Sequence, residues 1–97
     1  MSFCTEIRFL GIALRFESLV DARGLMPWSP LELDSWSCEF GRNPQSIHAA
    51  RFVLNLWNAG CQWDCGRFDP REALKVWDLR HRRAFMELIT ENMAYSA

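Results

Sequence analysis

Apolar positions recur along most of this chain every three to four residues, the spacing of helices with one buried face. The clearest case is NPQSIHAARFVLNLWN, residues 43–58, where Ile47, Ala50, Val53, Leu54 and Trp57 fall on one side. Asn43 and Pro44 open this helix, and Asn58 and Gly60 are natural stop residues. Upstream, Phe9, Ile12, Ala13, Phe16, Leu19 and Val20 keep the same period, which predicts a helix over about residues 5–23. The run from Asp21 to Gly24 resembles a glycine C-cap, and Leu25 and Pro27 strengthen that stop. A competing pattern lies at the start of this element. Phe3, Thr5, Ile7 and Phe9 alternate as in a short strand, and Gly11 weakens a helix by ~1 kcal/mol.

Beyond Pro70, residues Ala73, Leu74, Trp77, His81, Ala84, Phe85 and Leu88 gather on one arc of a helical wheel. Arg71, Glu72, Lys75, Asp78, Arg80, Arg82, Arg83 and Glu87 take the remainder. One amphipathic helix over about residues 70–91 explains the pattern, with Asp78 a candidate cap for a second helix after a bend. Residues 92–97 are expected to fray.

Three helix starts carry explicit local signals. In WSPLEL, Ser29 caps, Pro30 takes the first helical position, Glu32 stands where a capping box needs it, and Trp28 and Leu33 occupy the staple positions. In FDPREA the device recurs with Asp69, Pro70 and Glu72, and Phe68 and Ala73 as the staple. Asn43-Pro44 is the third. The expectation is an all-α single domain over residues 1–97, with four to five helices around one core and a short N-terminal strand as the variant.

Composition narrows function by exclusion. With 97 residues, 49% hydrophobic and 24% charged, the chain supports one globular core. A net charge of −1 leaves no overall field toward nucleic acid, anionic membrane or a basic partner. The apolar N-terminus is interrupted by Glu6, Arg8, Arg15 and Glu17, with no small-residue cleavage site after a basic start. That pattern predicts a cytoplasmic protein without a targeting or membrane segment, whose four cysteines are reduced thiols.

The stretch AGCQWDCGRFDP, residues 59–70, looks most like chemistry. Cys61 and Cys65 form one pair separated by three residues, but Cys4, Cys38, His48 and His81 supply no second pair at knuckle spacing. A thioredoxin-type pair needs two intervening residues and a βαβ context, and both are missing. His81 lies in the middle of the apolar arc, where a hydrogen-bonded core histidine is expected, and His48 is expected to be partly exposed. The chain contains no GxSxG, P-loop, GxGxxG or HExxH motif. The expectation is a non-enzyme with no cofactor and no metal.

Two groups of residues remain as candidates for partner binding. RHRR, with Arg80, Arg82 and Arg83, joins Arg71 and Lys75 as a basic face suited to phosphate. Interleaved acids, with Glu87 four residues after Arg83, suggest instead a solvated, ion-paired surface. Five tryptophans form the second group. Trp57 and Trp77 lie on apolar faces and Trp28 is a staple, whereas Trp36 in LDSWSCEF and Trp63 in the loop have no evident buried slot. Trp63 beside Arg67 reads equally as a contact patch or as a lid on the core.

The stretches ARFVLNLWN, FDPREAL, VWD and HRRAF resemble small uncharacterised bacterial proteins of phage, plasmid and other mobile elements, over the C-terminal half only. The resemblance implies no catalytic residues. It implies a protein that acts by binding another protein or complex, as inhibitors of host defence complexes of the anti-CRISPR kind do. The alternative is a small nucleic-acid-binding or regulatory protein using the basic face of the last helix.

Overall fold

A computed structural model describes the backbone of residues 3–96 and the side chains of residues 7–91. The elements are α1 (Phe3–Leu14), a 3-10 turn (Glu17–Leu19), α2 (Pro30–Ser37), α3 (Pro44–Trp57), α4 (Pro70–Val76) and α5 (Leu79–Ser96). The described chain is all-α, and its radius of gyration of 12.5 Å is that of a compact domain of this length. Cys4 and residues 92–97 lie outside the described side chains, but the α5 backbone stays helical to Ser96 where fraying was expected.

α3 is the central element and packs against α1, α2, the 3-10 turn and α4. Ala49, Ala50, Val53 and Leu54 are fully buried, so the small and large residues of its inner face are both enclosed. Aromatic rings fill the space around it. Phe9, Trp28 and Trp57 form one cluster, with centroids 5.2–5.5 Å apart. Phe16, Phe52, Phe68, Trp77 and Phe85 form another, and through Phe85 it attaches α5 to the core.

The proline-opened starts form as read, with local differences. The Ser29 hydroxyl accepts the N–H of Glu32 at 3.4 Å, Asn43 accepts that of Gln45 at 2.8 Å, and Asp69 accepts that of Arg71 at 2.9 Å. Trp28 and Leu33 are both buried, as a staple requires. Neither capping box closes. The Ser29 N–H is taken by Gly24 O at 2.7 Å, and Glu72 pairs with Lys75 at 3.4 Å.

Two expected helices are each interrupted. The helix over residues 5–23 ends at Leu14, because Phe16 turns to an extended conformation (φ −97°, ψ 116°) that sends its ring into the core. Leu19 keeps the apolar period from the 3-10 turn, which faces the same core, so periodicity alone could not reveal the break. Val20 is exposed. Gly24 does not cap this helix. At φ 88°, a Cβ there would stand 2.5 Å from Ser29 O and 2.6 Å from Leu33 N, so glycine permits the chain to cross the first turn of α2. At Phe3–Phe9 the backbone is helical, not strand.

The single helix over 70–91 is two. Trp77 is extended (φ −71°, ψ 140°), and Asp78 caps α5 by accepting the N–H of His81 at 3.0 Å. Gln45 of α3 holds the break: its carbonyl accepts the Trp77 indole N–H at 3.1 Å, and its Oε1 accepts the Asp78 N–H at 2.8 Å. The rotation at the break leaves Leu74 exposed, although the continuous wheel had placed it inside. Among the described residues no helix is long and apolar enough to cross a membrane.

Candidate functional site

The loop between α3 and α4 is held in place by a group the sequence did not single out. The Asp34 carboxylate, on α2 and 5% exposed, accepts the N–H of Asp64 and of Cys65, one at each oxygen and each at 2.9 Å. No ion pair neutralises it among the described residues, so backbone amides satisfy a buried charge. Arg51 of α3 adds a third tie, donating from Nε to Cys65 O at 2.5 Å. Gly66, at φ 95°, reverses the chain where a side chain would be strained and would lie 3.5 Å from the Arg51 guanidinium.

Asn58, which ends α3, organises the other half of the loop. Its carbonyl accepts the Cys61 N–H at 3.3 Å and the Trp63 indole N–H at 3.2 Å, and its Oδ1 accepts the Gly60 N–H at 3.0 Å. Trp63 is thereby oriented: half-buried, it packs against the core and also lines a shallow groove with Ala59, Gly60, Cys61, Gln62 and Arg67. Arg67 is exposed and makes no ion pair among the described residues. Trp63 thus packs on the core, as the lid reading expects, and also lines the groove.

The cysteines of this loop part company. Cys61 is exposed on the groove, while Cys65 is buried under the Asp34 clamp and its thiol is pushed up to about 12, first by burial. Cys38 is exposed, and its thiol is also raised, by partial burial and by the Asp34 charge. All three are free thiols, and among the described residues no three His, Cys, Asp or Glu side chains converge as a metal site.

Trp36, expected as an open contact residue, is 5% exposed. The Arg42 guanidinium lies over its ring at 3.9 Å and donates to the Trp36 carbonyl at 3.1 Å, so this side chain is part of the core. The basic face is also dispersed. Arg80 pairs with Glu17 at 2.8 Å. Arg82 turns back to the end of α4, donating to Trp77 O at 3.1 Å and to Leu74 O at 2.6 Å. Lys75 pairs with Glu72, and Glu87 pairs with Arg15 at 2.6 Å and not with Arg83. Arg71 and Arg83 stay exposed without an ion pair among the described residues. The break at Trp77 sets Arg71 and Lys75 on α4 and Arg80, Arg82 and Arg83 on α5.

One hydrogen-bonded chain has the order of a nucleophile, a base and an orienting acid. His81 Nε2 lies 2.7 Å from Ser18 Oγ, and Nδ1 lies 2.8 Å from Asp78 Oδ1. The burial is inverted relative to a working triad. The His81 ring is 2% exposed between Phe16 and Trp77, whereas the Asp78 carboxylate is half exposed at the start of α5. The geometry is that of a latch joining the 3-10 turn to α5, with the buried, hydrogen-bonded histidine that the apolar arc predicts. His48, expected partly exposed, is buried, and burial followed by the Arg51 charge holds its imidazole below the ordinary value.

A second groove is lined by Leu10, Leu14, Val20, Leu25 and Met26 together with Arg23 and Glu32. Met26 and Val20 are its most exposed hydrophobic members. A scan against protein-family models matches no family, and searches of curated proteins and of solved structures return no match.

Proposed function

We propose that this protein is a non-enzymatic binding module that contacts another protein through Trp63 and Arg67. The observation that carries the reading is the loop that presents them. Burying the Asp34 carboxylate costs stability that apolar packing would not, and its effect is to hold residues 64–65 in one conformation. A loop ordered before binding loses little further entropy on association. Tryptophan and arginine are the side chains that most often dominate contact energetics, and here both line one groove.

The engagement of Arg80, Arg82 and Lys75 within the fold favours protein contact over nucleic acid. A net charge of −1 fits steric or allosteric blocking of a protein surface better than mimicry of DNA. With the mobile-element resemblance of the C-terminal half, the specific form of the reading is an inhibitor of a host defence complex in the cytoplasm, of the anti-CRISPR kind. The test is quantitative affinity capture from source cells with the wild-type protein and a Trp63→Ala/Arg67→Ala variant of unchanged helicity. A stoichiometric partner recovered by the wild type and lost with the variant is expected. Equal recovery by both sinks the reading.

A further inference from the structure

Resting on that reading, we infer that the groove of Trp63 and Arg67 takes a short acidic peptide segment in which a carboxylate lies close to an aromatic side chain. The charge arrangement selects the anion. Arg67 is exposed, and neither of the acids nearest to it in the chain is paired with it: Asp69 caps α4, and Asp64 meets the Asp34 clamp through its backbone N–H. An arginine without a carboxylate partner presents its planar fork to an incoming one and binds it through two N–H donors.

The same acids limit what else can enter. Asp64 and Asp69 are exposed three positions before and two positions after Arg67. These exposed acids repel the many charges of a continuous phosphate backbone more than they repel a single carboxylate. The groove, about 520 Å³, has room for two or three residues of peptide.

The second half of the recognition is aromatic. The Trp63 indole N–H donates to Asn58 O, and its loop is tied by Asp34 and Arg51. The ring offers the groove an apolar and π surface. Gly60 lines the same groove without a side chain and leaves room for a peptide backbone. An aromatic side chain on Trp63 and a neighbouring carboxylate on Arg67 occupy the groove together.

The experiment is a titration followed by the Trp63 indole and Arg67 amide resonances. The probes are Ac-Gly-Phe-Glu-Phe-Gly-NH2, its lysine counterpart Ac-Gly-Phe-Lys-Phe-Gly-NH2, and a thymidine pentanucleotide. Both resonances are expected to move with the glutamate peptide and much less with the other two probes. Arg67→Glu should weaken the glutamate peptide about threefold and reverse the preference toward the lysine peptide, the modest effect of a single exposed ion pair. No movement with the glutamate peptide at millimolar concentration overturns the inference. So does stronger movement with the oligonucleotide, which would make the groove a single-strand site. If the peptide fails while cellular capture still depends on Trp63, the inference falls and the proposed function stands.

Discussion

The carboxylate of Asp34 accepts the backbone N–H of Cys65 at 2.9 Å across 31 positions of the chain. With the matching bond from Asp64, this contact joins α2 to the loop that carries Trp63. Asp34→Ala leaves two amides without their acceptor and should lower stability by about 2–4 kcal/mol in urea denaturation. Asp34→Asn keeps one acceptor and should lose roughly half of that. In both variants, amide exchange should quicken first at residues 64–66, because the tie lost is local.

His81 should matter for stability and not for turnover. His81→Ala removes a buried ring and two hydrogen bonds and is expected to cost about 2–4 kcal/mol. Ser18→Ala removes one bond at the edge of the latch and should cost about 0.5–1.5 kcal/mol. A fluorophosphonate probe should leave Ser18 unlabelled in the folded protein. Stoichiometric labelling there would turn the latch into a catalytic site.

Thiol reactivity should follow burial. Among the three described cysteines, peptide mapping after brief alkylation at pH 8 is expected to find Cys61 modified first and Cys38 more slowly, because the Cys38 thiolate is disfavoured by partial burial and by Asp34. Cys65, with its thiol pushed up to about 12 under the clamp, should react only on unfolding. Asp34→Ala should bring Cys65 labelling forward.

Glu39, His48 and Asp78 are held below their ordinary values, Glu39 first by its hydrogen bond from Arg23, and the last two illustrate the acid side of the stability curve. The unfolded chain protonates His48 near its ordinary value of 6.5, while the folded chain resists until lower pH, so stability falls as pH drops below 6.5 toward the folded value. Asp78 is held below the ordinary carboxylate value of 3.8 by the N–H and ring of His81. Its contribution is present above 3.8 and is lost as pH falls through the folded value. Urea midpoints measured from pH 8 to 3 should show both declines, and His48→Gln should remove the upper one alone.

What the sequence disclosed follows the range of the interactions. The starts at Ser29, Asn43 and Asp69 were legible because each cap acts on a residue two or three positions away. The break at Trp77 was half legible: Asp78 is a visible cap, but Gln45, which holds the break, lies 32 positions from Trp77. Trp36 was misread because its neighbours in LDSWSCEF are polar, and its cover comes from Arg42 after the chain turns back. Asp34 gave no local signal at all. An aspartate inside a short helix reads as surface until the loop that needs it is in place.

The central claim is that a partner sits on the groove of Trp63 and Arg67, and site-specific photo-crosslinking tests it most directly. A benzoylphenylalanine replaces Gln62, which lines that groove, or Val20, which lines the second groove. Crosslinking in source cells should give one discrete adduct from position 62, reduced in yield when Arg67→Glu is added, and none from position 20. An adduct from position 20 with none from position 62 would contradict the account.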